Sequence, residues 1–256
     1  MADSLLYSQR LIKVFKDGVL KDSHDPVVNE STMTIRLNGS DYVTLACSPA
    51  AWEELAVGYL IAEGVIKTRA DLQSLRVKDN KIWIETGQPP IENYTLPKFI
   101  GTSMGPSKAN DSPIPNCFEN KTIFYADHLL RLVNDLNERS ETFKVTGGTH
   151  IAGIGFRDRL LVCYEDIGRH NAVDKTFGHA FLNQLPLEEC CLVLSGRVAK
   201  EILLKAARGG VSLVLSRSAP TSGSVELAEK LGVSIVGFAR GDRFNVYTHT
   251  ERVQVF

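Results

Sequence analysis

The sequence predicts a layered α/β protein preceded by a smaller α+β portion. Three observations predict it: helical stripes alternating with short aliphatic runs after Thr122, two hairpin signals flanking one helical stripe before residue 100, and a proline-rich polar stretch between them. The expected organisation is a small α+β domain over residues 1–100, an irregular linker over 101–121 and the α/β domain over 122–256.

In chain order, residues 32–37 and 42–46 are β-rich runs around Asn38-Gly39-Ser40-Asp41, a hairpin signal because Asn and Gly tolerate positive φ. A helix follows Ser48-Pro49, with Trp52, Leu55, Ala56, Tyr59 and Leu60 making one core-facing stripe and Gly64 as its stop. Residues 75–77 and 81–85 form a second hairpin around Asp79-Asn80. Between Gly87 and Lys121 the chain carries Pro89, Pro90, Pro97, Pro106, Pro113 and Pro115, which predicts irregular structure.

Beyond it, Leu129, Leu132, Val133 and Leu136 make a helical stripe, and residues 143–146 and 160–164 read as strands. A helix over 171–183, a strand over 190–194 and a helix over 198–207 come next. The chain then gives a strand over 211–215, a helix over 224–231 and a strand over 233–238. Strands this uniformly apolar belong to a sheet covered on both faces, with some parallel pairing.

Charge excludes several classes of partner. The 29 Lys and Arg nearly cancel the 30 Asp and Glu, leaving a net charge of -1 and no global field to attract nucleic acid or an anionic membrane. No apolar run approaches the roughly 20 residues of a membrane-spanning helix, and the first ten residues do not read as a signal peptide. The cytoplasm is the expected location. The five cysteines (Cys47, Cys117, Cys163, Cys190, Cys191) lack paired spacing and read as thiols rather than a disulfide framework.

The chemistry lies in the segments after the predicted strands: Gly147-Gly148-Thr149-His150, the Glu165 to Asn171 run, Ser195-Gly196-Arg197, the Ser216 to Ser224 run, and Ala239-Arg240-Gly241-Asp242-Arg243. Strand carboxyl ends and helix N-termini are the usual ligand crevice of open α/β sheets, and free backbone amides there favour anions. Gly permits close approach, Ser and Thr offer hydroxyls, and Arg supplies a fork suited to phosphate or a purine edge. The spacing fits neither a Walker loop nor a dinucleotide fingerprint, which points to an unusual nucleotide-like ligand. The plainer alternative makes the same residues caps and turns. His170 and Asp174, four apart on a helix, could form an oriented base, with hydrolysis of a nucleotide-like substrate as the lowest-ranked activity. Neither an HxE with PCxxC nor any other Cys/His zinc spacing occurs, so no metal site is expected.

These segments, in this order, resemble the FdhD family of formate dehydrogenase accessory sulfurtransferases. The likeness rests on Ala56-Val-Gly-Tyr-Leu-Ile-Ala-Glu-Gly64, Thr146-Gly-Gly-Thr-His150, Asp166-Ile-Gly-Arg-His-Asn-Ala-Val-Asp-Lys175, Ser195-Gly-Arg197, Ser218-Ala-Pro-Thr221, Val236-Gly-Phe-Ala-Arg-Gly241 and Val246-Tyr-Thr248 with Glu251-Arg252. It implies a cytidine-deaminase-like second domain without that fold's zinc, a cytoplasmic homodimer, and binding of the bis(molybdopterin guanine dinucleotide) form of the molybdenum cofactor. A guanine nucleotide is then the natural analogue. It further implies sulfur taken from a cysteine desulfurase and passed to that cofactor before its insertion into formate dehydrogenase. The family's cofactor stretch falls on Phe238, Ala239, Arg240, Gly241, Asp242 and Arg243. Arg169, His170 and Arg197 are the further expected polar contacts, with Ser218, Thr221 and Ser222 supporting phosphate.

The likeness breaks at the sulfur carrier. Where the family has a Cys-x-x-Cys loop, the stretch Thr102-Ser-Met-Gly-Pro-Ser-Lys108 places Met104 and Ser107, neither of which can form a persulfide. Cys117, ten residues on, is the candidate substitute carrier. A cofactor-binding chaperone that has lost sulfur transfer is the alternative.

Overall fold

The computed structural model describes residues 5–87, 98–101 and 122–256. It opens with an element that the sequence patterns did not predict. Strands β1 (Tyr7–Lys16) and β2 (Val19–Val28) form a long antiparallel hairpin that turns at Asp17-Gly18, both at positive φ. Asp-Gly is a hairpin signal, but the flanking strands carry apolar residues on both faces and so show no clean alternation.

The predicted hairpins come next. β3 (Ser31–Leu37) and β4 (Ser40–Cys47) turn at Asn38 and Gly39, whose φ values of 48° and 83° suit the two left-handed positions of a tight hairpin turn. After helix α1 (Trp52–Ala62) come β5 (Leu72–Lys78), β6 (Lys81–Thr86) and β7 (Lys98–Ile100). Together they make a five-stranded sheet in the order β5-β6-β3-β4-β7.

The remaining elements are β8 (Phe124–Tyr125), α2 (Ala126–Glu138), α3 (Glu141–Thr146), β9 (His150–Phe156), β10 (Arg159–Asp166) and α4 (Arg169–Leu182). They continue with β11 (Cys190–Leu194), α5 (Lys200–Gly209), β12 (Leu213–Ser216), α6 (Ser222–Leu231), β13 (Ser234–Arg240), β14 (Arg243–Val246) and β15 (Val253–Gln254). Here the expected strand over 143–146 is wrong: those residues end helix α3. The Glu165 carboxylate accepts the Thr142 and Phe143 amides at 2.8 and 2.9 Å, a tertiary cap that overrides the local β preference. The true strand is β9, hidden in the sequence because Ala152, Gly153 and Gly155 break its apolar pattern. Gly147-Gly148-Thr149 therefore precedes a strand instead of coming after one.

The large sheet runs β10-β9-β11-β12-β13-β14, parallel through β11, β12 and β13 and antiparallel at its flanks. One face packs Leu192, Leu194, Val214 and Ile235 against Phe177 of α4 and Leu203 of α5. The other packs Val193, Leu213, Leu215 and Val236 under Leu129, Leu132, Val133 and Leu136 of α2. Each fully buried aliphatic side chain contributes about 1.5–3 kcal/mol. Adjacent Cys190 and Cys191 fall in the two opposite clusters, as strand alternation requires.

Helix α1 is not the one-sided element its stripe suggested. Leu55, Ala56, Val57, Gly58, Tyr59, Leu60 and Ala62 are all buried, because the helix lies between the five-stranded sheet and α4. The two helices meet backbone to backbone: a Cβ on Gly58 would sit 1.8 Å from the Asp174 carbonyl oxygen, and one on Gly178 would sit 1.9 Å from that of Glu54. No other residue fits at either position. Register places His150 opposite Asp166, Ala152 opposite Leu194, and Leu194 opposite Ser216. The start of β9 thus shares one sheet edge with the ends of β10, β11 and β12, and β13 ends there too.

Candidate functional site

At that edge lies a cavity of about 340 Å³ lined by Ser140, Phe143, Thr149, His150, Ile151, Ser195, Arg217 and Arg240. Its walls are tied by hydrogen bonds from separate strands. The Ile151 amide donates to Ser195 Oγ at 3.1 Å, Ser216 Oγ donates to the Gly196 carbonyl at 2.7 Å, and the Arg217 amide donates to the Leu194 carbonyl at 3.1 Å. Arg240 Nε donates to the Arg217 carbonyl at 2.8 Å, which fixes that guanidinium at the cavity wall. Arg169 and His150 flank Gly196: an ideal Cβ there would meet Arg169 Cβ at 3.3 Å and His150 Nδ1 at 3.7 Å.

Among the described residues the lining contains no carboxylate, and His150 in it and Arg169 on its flank are partly desolvated. Burial, then the charge of Arg197, pushes Arg169 down from its ordinary value, with Glu201 opposing. Burial, then Arg169, lowers His150. Arg169 Nε and Arg217 Nε are buried without a hydrogen-bond partner among the described residues. Buried unpaired donors are costly, so such a cluster suits an anion bearing several acceptor oxygens.

The motif from Asp166 to Lys175 divides into two functions. Asp166 is fully buried, pairs with Lys175 at 2.7 Å, and accepts from the amides of Ser48 (3.0 Å) and Gly168 (2.8 Å) and from Asn171 Nδ2 (2.9 Å). Asn171 also donates to the Ala46 carbonyl at 2.8 Å, and the Ile167 amide donates to Ser48 Oγ at 3.1 Å. These bonds clamp the segment after β4 onto the start of α4. Of the motif, Arg169 flanks the cavity and His170 lies close enough to Arg169 and His150 to feel their charge.

The expected pairing of His170 with Asp174 does not form. Both Asp174 oxygens accept from Lys205 Nζ at 2.6 Å, while both ring nitrogens of His170 are buried without a partner among the described residues. An acid oriented by its own lysine cannot orient the imidazole. Burial, then Lys205, Arg169 and His150, pushes His170 down to about 3. An unfolded histidine takes up its proton near pH ~6.5, so between that pH and about 3 the unfolded state binds more protons than the folded one. Stability is unaffected above pH ~7 and falls by up to ~1.4 kcal/mol per pH unit through that window. His170→Gln is expected to show a shallower loss of melting temperature from pH 7 to pH 5 than the parent chain; parallel curves would remove His170 from the acid sensitivity.

Of the other expected site residues, Arg240 lines the cavity and Arg197 lies beside it. Ser218 holds the loop, its carbonyl accepting from the Phe238 amide at 3.0 Å. Thr221 caps α6 through Ser224, and Ser222 begins that helix. Ala239 is buried in the sheet core, while Phe238, Gly241, Asp242 and Arg243 surround the β13–β14 turn and do not line this cavity. Met104, Ser107 and Cys117 lie outside the described residues. Among those described, the thiols are ill suited to nucleophilic work: burial pushes Cys47 up to about 12 and Cys190 to about 11, and also raises Cys163 and Cys191. Thr149, Ser195 and Arg217 fall in the segments singled out from the sequence, though not among the named ligand contacts; Ser140, Phe143 and Ile151 are the lining residues that sequence reading missed. Arg217, directly after a strand and beside Ser218, carried the signal; Ser140 and Phe143 carried none, because α3 was read as a strand.

No helix among the described residues is long and apolar enough to cross a membrane. The family model described as the FdhD/NarQ family matches residues 28–254. Proteins named "Sulfur carrier protein FdhD" are similar over nearly their whole length. That of Geobacillus kaustophilus is 37% identical, covering 96% of both chains. That of Bacillus subtilis is 36% identical, covering 94% of this chain and 95% of its own. A solved structure of a putative formate dehydrogenase accessory protein from Desulfotalea psychrophila superposes with a TM-score of 0.82, covering 97% of this chain and 100% of that one. At 24% identity, that likeness concerns the fold. On the match of the family model and the extent of these identities, the chain belongs to the FdhD/NarQ family.

Proposed function

We propose that the protein is a formate dehydrogenase accessory sulfur carrier that binds the bis(molybdopterin guanine dinucleotide) cofactor as its cargo through the strand-end cavity. The observation that carries this reading is the convergence at one sheet edge of Arg217 and Arg240, which line the cavity, with Arg169 on its flank; among the described residues the Nε atoms of Arg169 and Arg217 are buried without a partner and the lining has no carboxylate. Guanidinium groups match diphosphate oxygens by charge and by fork geometry. A volume of about 340 Å³ is at the small end for ligand pockets, so it suits one nucleotide end of the cargo. Arg197, at the neighbouring strand end, extends the positive rim.

In this reading a cysteine desulfurase supplies the sulfur. The Cys117 thiolate attacks the outer sulfur of the desulfurase persulfide; a Cys117 persulfide forms and the desulfurase thiolate leaves. The protein works in the cytoplasm as a homodimer, with formate dehydrogenase receiving the sulfurated cofactor. Its larger portion is a zinc-free, cytidine-deaminase-like layer over residues 122–256, separated by residues 101–121 from the smaller portion.

A second reading has a specific observation in its favour. Met104 and Ser107 cannot carry sulfur, and the described thiols are buried or raised. The protein is then a cofactor chaperone without thiol transfer. Incubation with a cysteine desulfurase and ³⁵S-cysteine separates the two. Sulfur carriage predicts reducible label on the wild type and a loss of at least about tenfold in Cys117→Ser, as removal of the carrier thiolate requires. No label on either would favour the chaperone; equal label on both would place the carrier thiol at a cysteine other than Cys117.

A further inference from the structure

A second cavity of about 340 Å³ lies at the opposite edge of the large sheet, where α4 and α5 end. The 14 residues of α4 set it about 20 Å from the strand-end cavity, since a helix rises ~1.5 Å per residue. It opens where two apolar clusters meet. Phe177 and Ala180 form a buried floor; Leu185 and Leu187 flank it from the cluster of the large sheet, and Ile61 and Phe181 from that of the five-stranded sheet. A Cβ on Gly209 would lie 2.2 Å from the Phe177 ring, so glycine lets the end of α5 close one wall directly on that ring. Hydrogen bonds hold the other walls. The Leu185 amide donates to the Ala180 carbonyl at 2.9 Å, and Arg208 Nη1 donates to the Ala62 carbonyl across the seam. Asp71 Oδ2 accepts the Lys67 and Thr68 amides at 2.9 and 2.7 Å, which fixes the turn that brings Lys67 and Arg69 to the mouth.

We propose that this seam cavity is a second ligand site, and that it takes a small amphipathic organic acid: a compact alkyl or aryl body bearing one carboxylate. The floor and flanks select the body, because an apolar group seated there removes its own surface and theirs from water. The mouth selects the charge. Lys67, Arg69 and Arg208 stand against a single carboxylate among the described lining residues, that of Glu188. Asp71 and Glu63 lie near Lys67 and Arg208, outside the lining. Burial lowers Arg208, with Glu63 opposing, so part of the positive charge sits in a wall where its attraction to an anion is stronger than in water. The volume is at the small end for ligand pockets, which limits the acid to a compact one. Such a ligand touches the end of α1 and the Lys67 to Arg69 turn on one side and α4 and α5 on the other. No residue lines both cavities, so the inference is independent of the cofactor reading.

Methyl-resolved NMR of the full chain titrated with 4-phenylbutanoate tests this, with 4-phenylbutan-1-ol as the uncharged counterpart and Lys67→Gln/Arg69→Gln as the variant. Both substituted residues are exposed, so the fold should survive. The expected result is saturable shifts at Ile61, Leu185 and Leu187 with a Kd of about 1 mM or tighter, in keeping with a ligand of this size. Ile151, in the strand-end cavity, should stay unmoved. The alcohol and the variant should each bind at least about fivefold more weakly, as loss of partly screened ion pairs requires. No saturation by about 10 mM, or shifts centred on Ile151, overturns the proposal. Equal affinity of the alcohol, or of the variant, also overturns it and leaves the cations the plainer role of offsetting the C-termini of α4 and α5.

Discussion

Asp166→Ala is expected to cost about 3–5 kcal/mol, because it leaves the Lys175 ammonium buried without its counter-charge. The same change removes the acceptor for the amides of Ser48 and Gly168 and for Asn171. At roughly 2–4 °C per kcal/mol for a chain of this size, the melting temperature falls by about 10 °C. Asp166→Asn keeps the shape but not the charge and should fall nearly as far. Asp166→Asn with Lys175→Met removes the stranded charge as well and should recover part of the loss. A double variant no better than Asp166→Asn would show that the amide acceptors, rather than the ion pair, carry the clamp. Intact stability in Asp166→Ala would show that β4 and α4 are held together without it.

That clamp shows what was legible in the sequence. The run Asp166 to Lys175 stands out as a motif, but its residue types alone do not separate structural from ligand-facing members. Asp166 and Asn171 find partners more than a hundred residues away, and Lys175 reaches back nine residues to Asp166; only coordinates reveal that Ser48 and Ala46 are among the partners. Asp174 misled for the same reason: Lys205, on α5, takes both its oxygens. Local patterns served well where local forces decide, as at the Asn38-Gly39 turn and the apolar stripe of α2. They failed where tertiary contacts decide. Glu165 caps residues 141–146 into a helix, and glycines with little apolar signal fill β9 because neighbouring side chains crowd it: a Cβ on Gly155 would lie 2.7 Å from Leu132. The convergence of strand-end loops was legible from the α/β alternation; the choice of Arg217 over Asp242 or Arg243 as a cavity wall was not.

An anion site for a guanine-bearing diphosphate at the sheet edge requires its arginines to carry the affinity. Arg217 and Arg240 both line the cavity, and Arg240 is held through the Arg217 carbonyl, which a side-chain truncation at 217 leaves in place. Each truncation removes a charge-assisted hydrogen bond worth about 1.5–3 kcal/mol. Arg217→Ala/Arg240→Ala is therefore expected to weaken binding by about 3–5 kcal/mol, a loss of at least ~100-fold in affinity. Neither side chain contributes to the buried core, so melting temperature should change little. Titration calorimetry of guanosine diphosphate into the wild type and this double variant is the direct measurement. Saturable binding by the wild type with that loss in the variant is the predicted result; equal affinity in both, or no binding to the wild type, contradicts it.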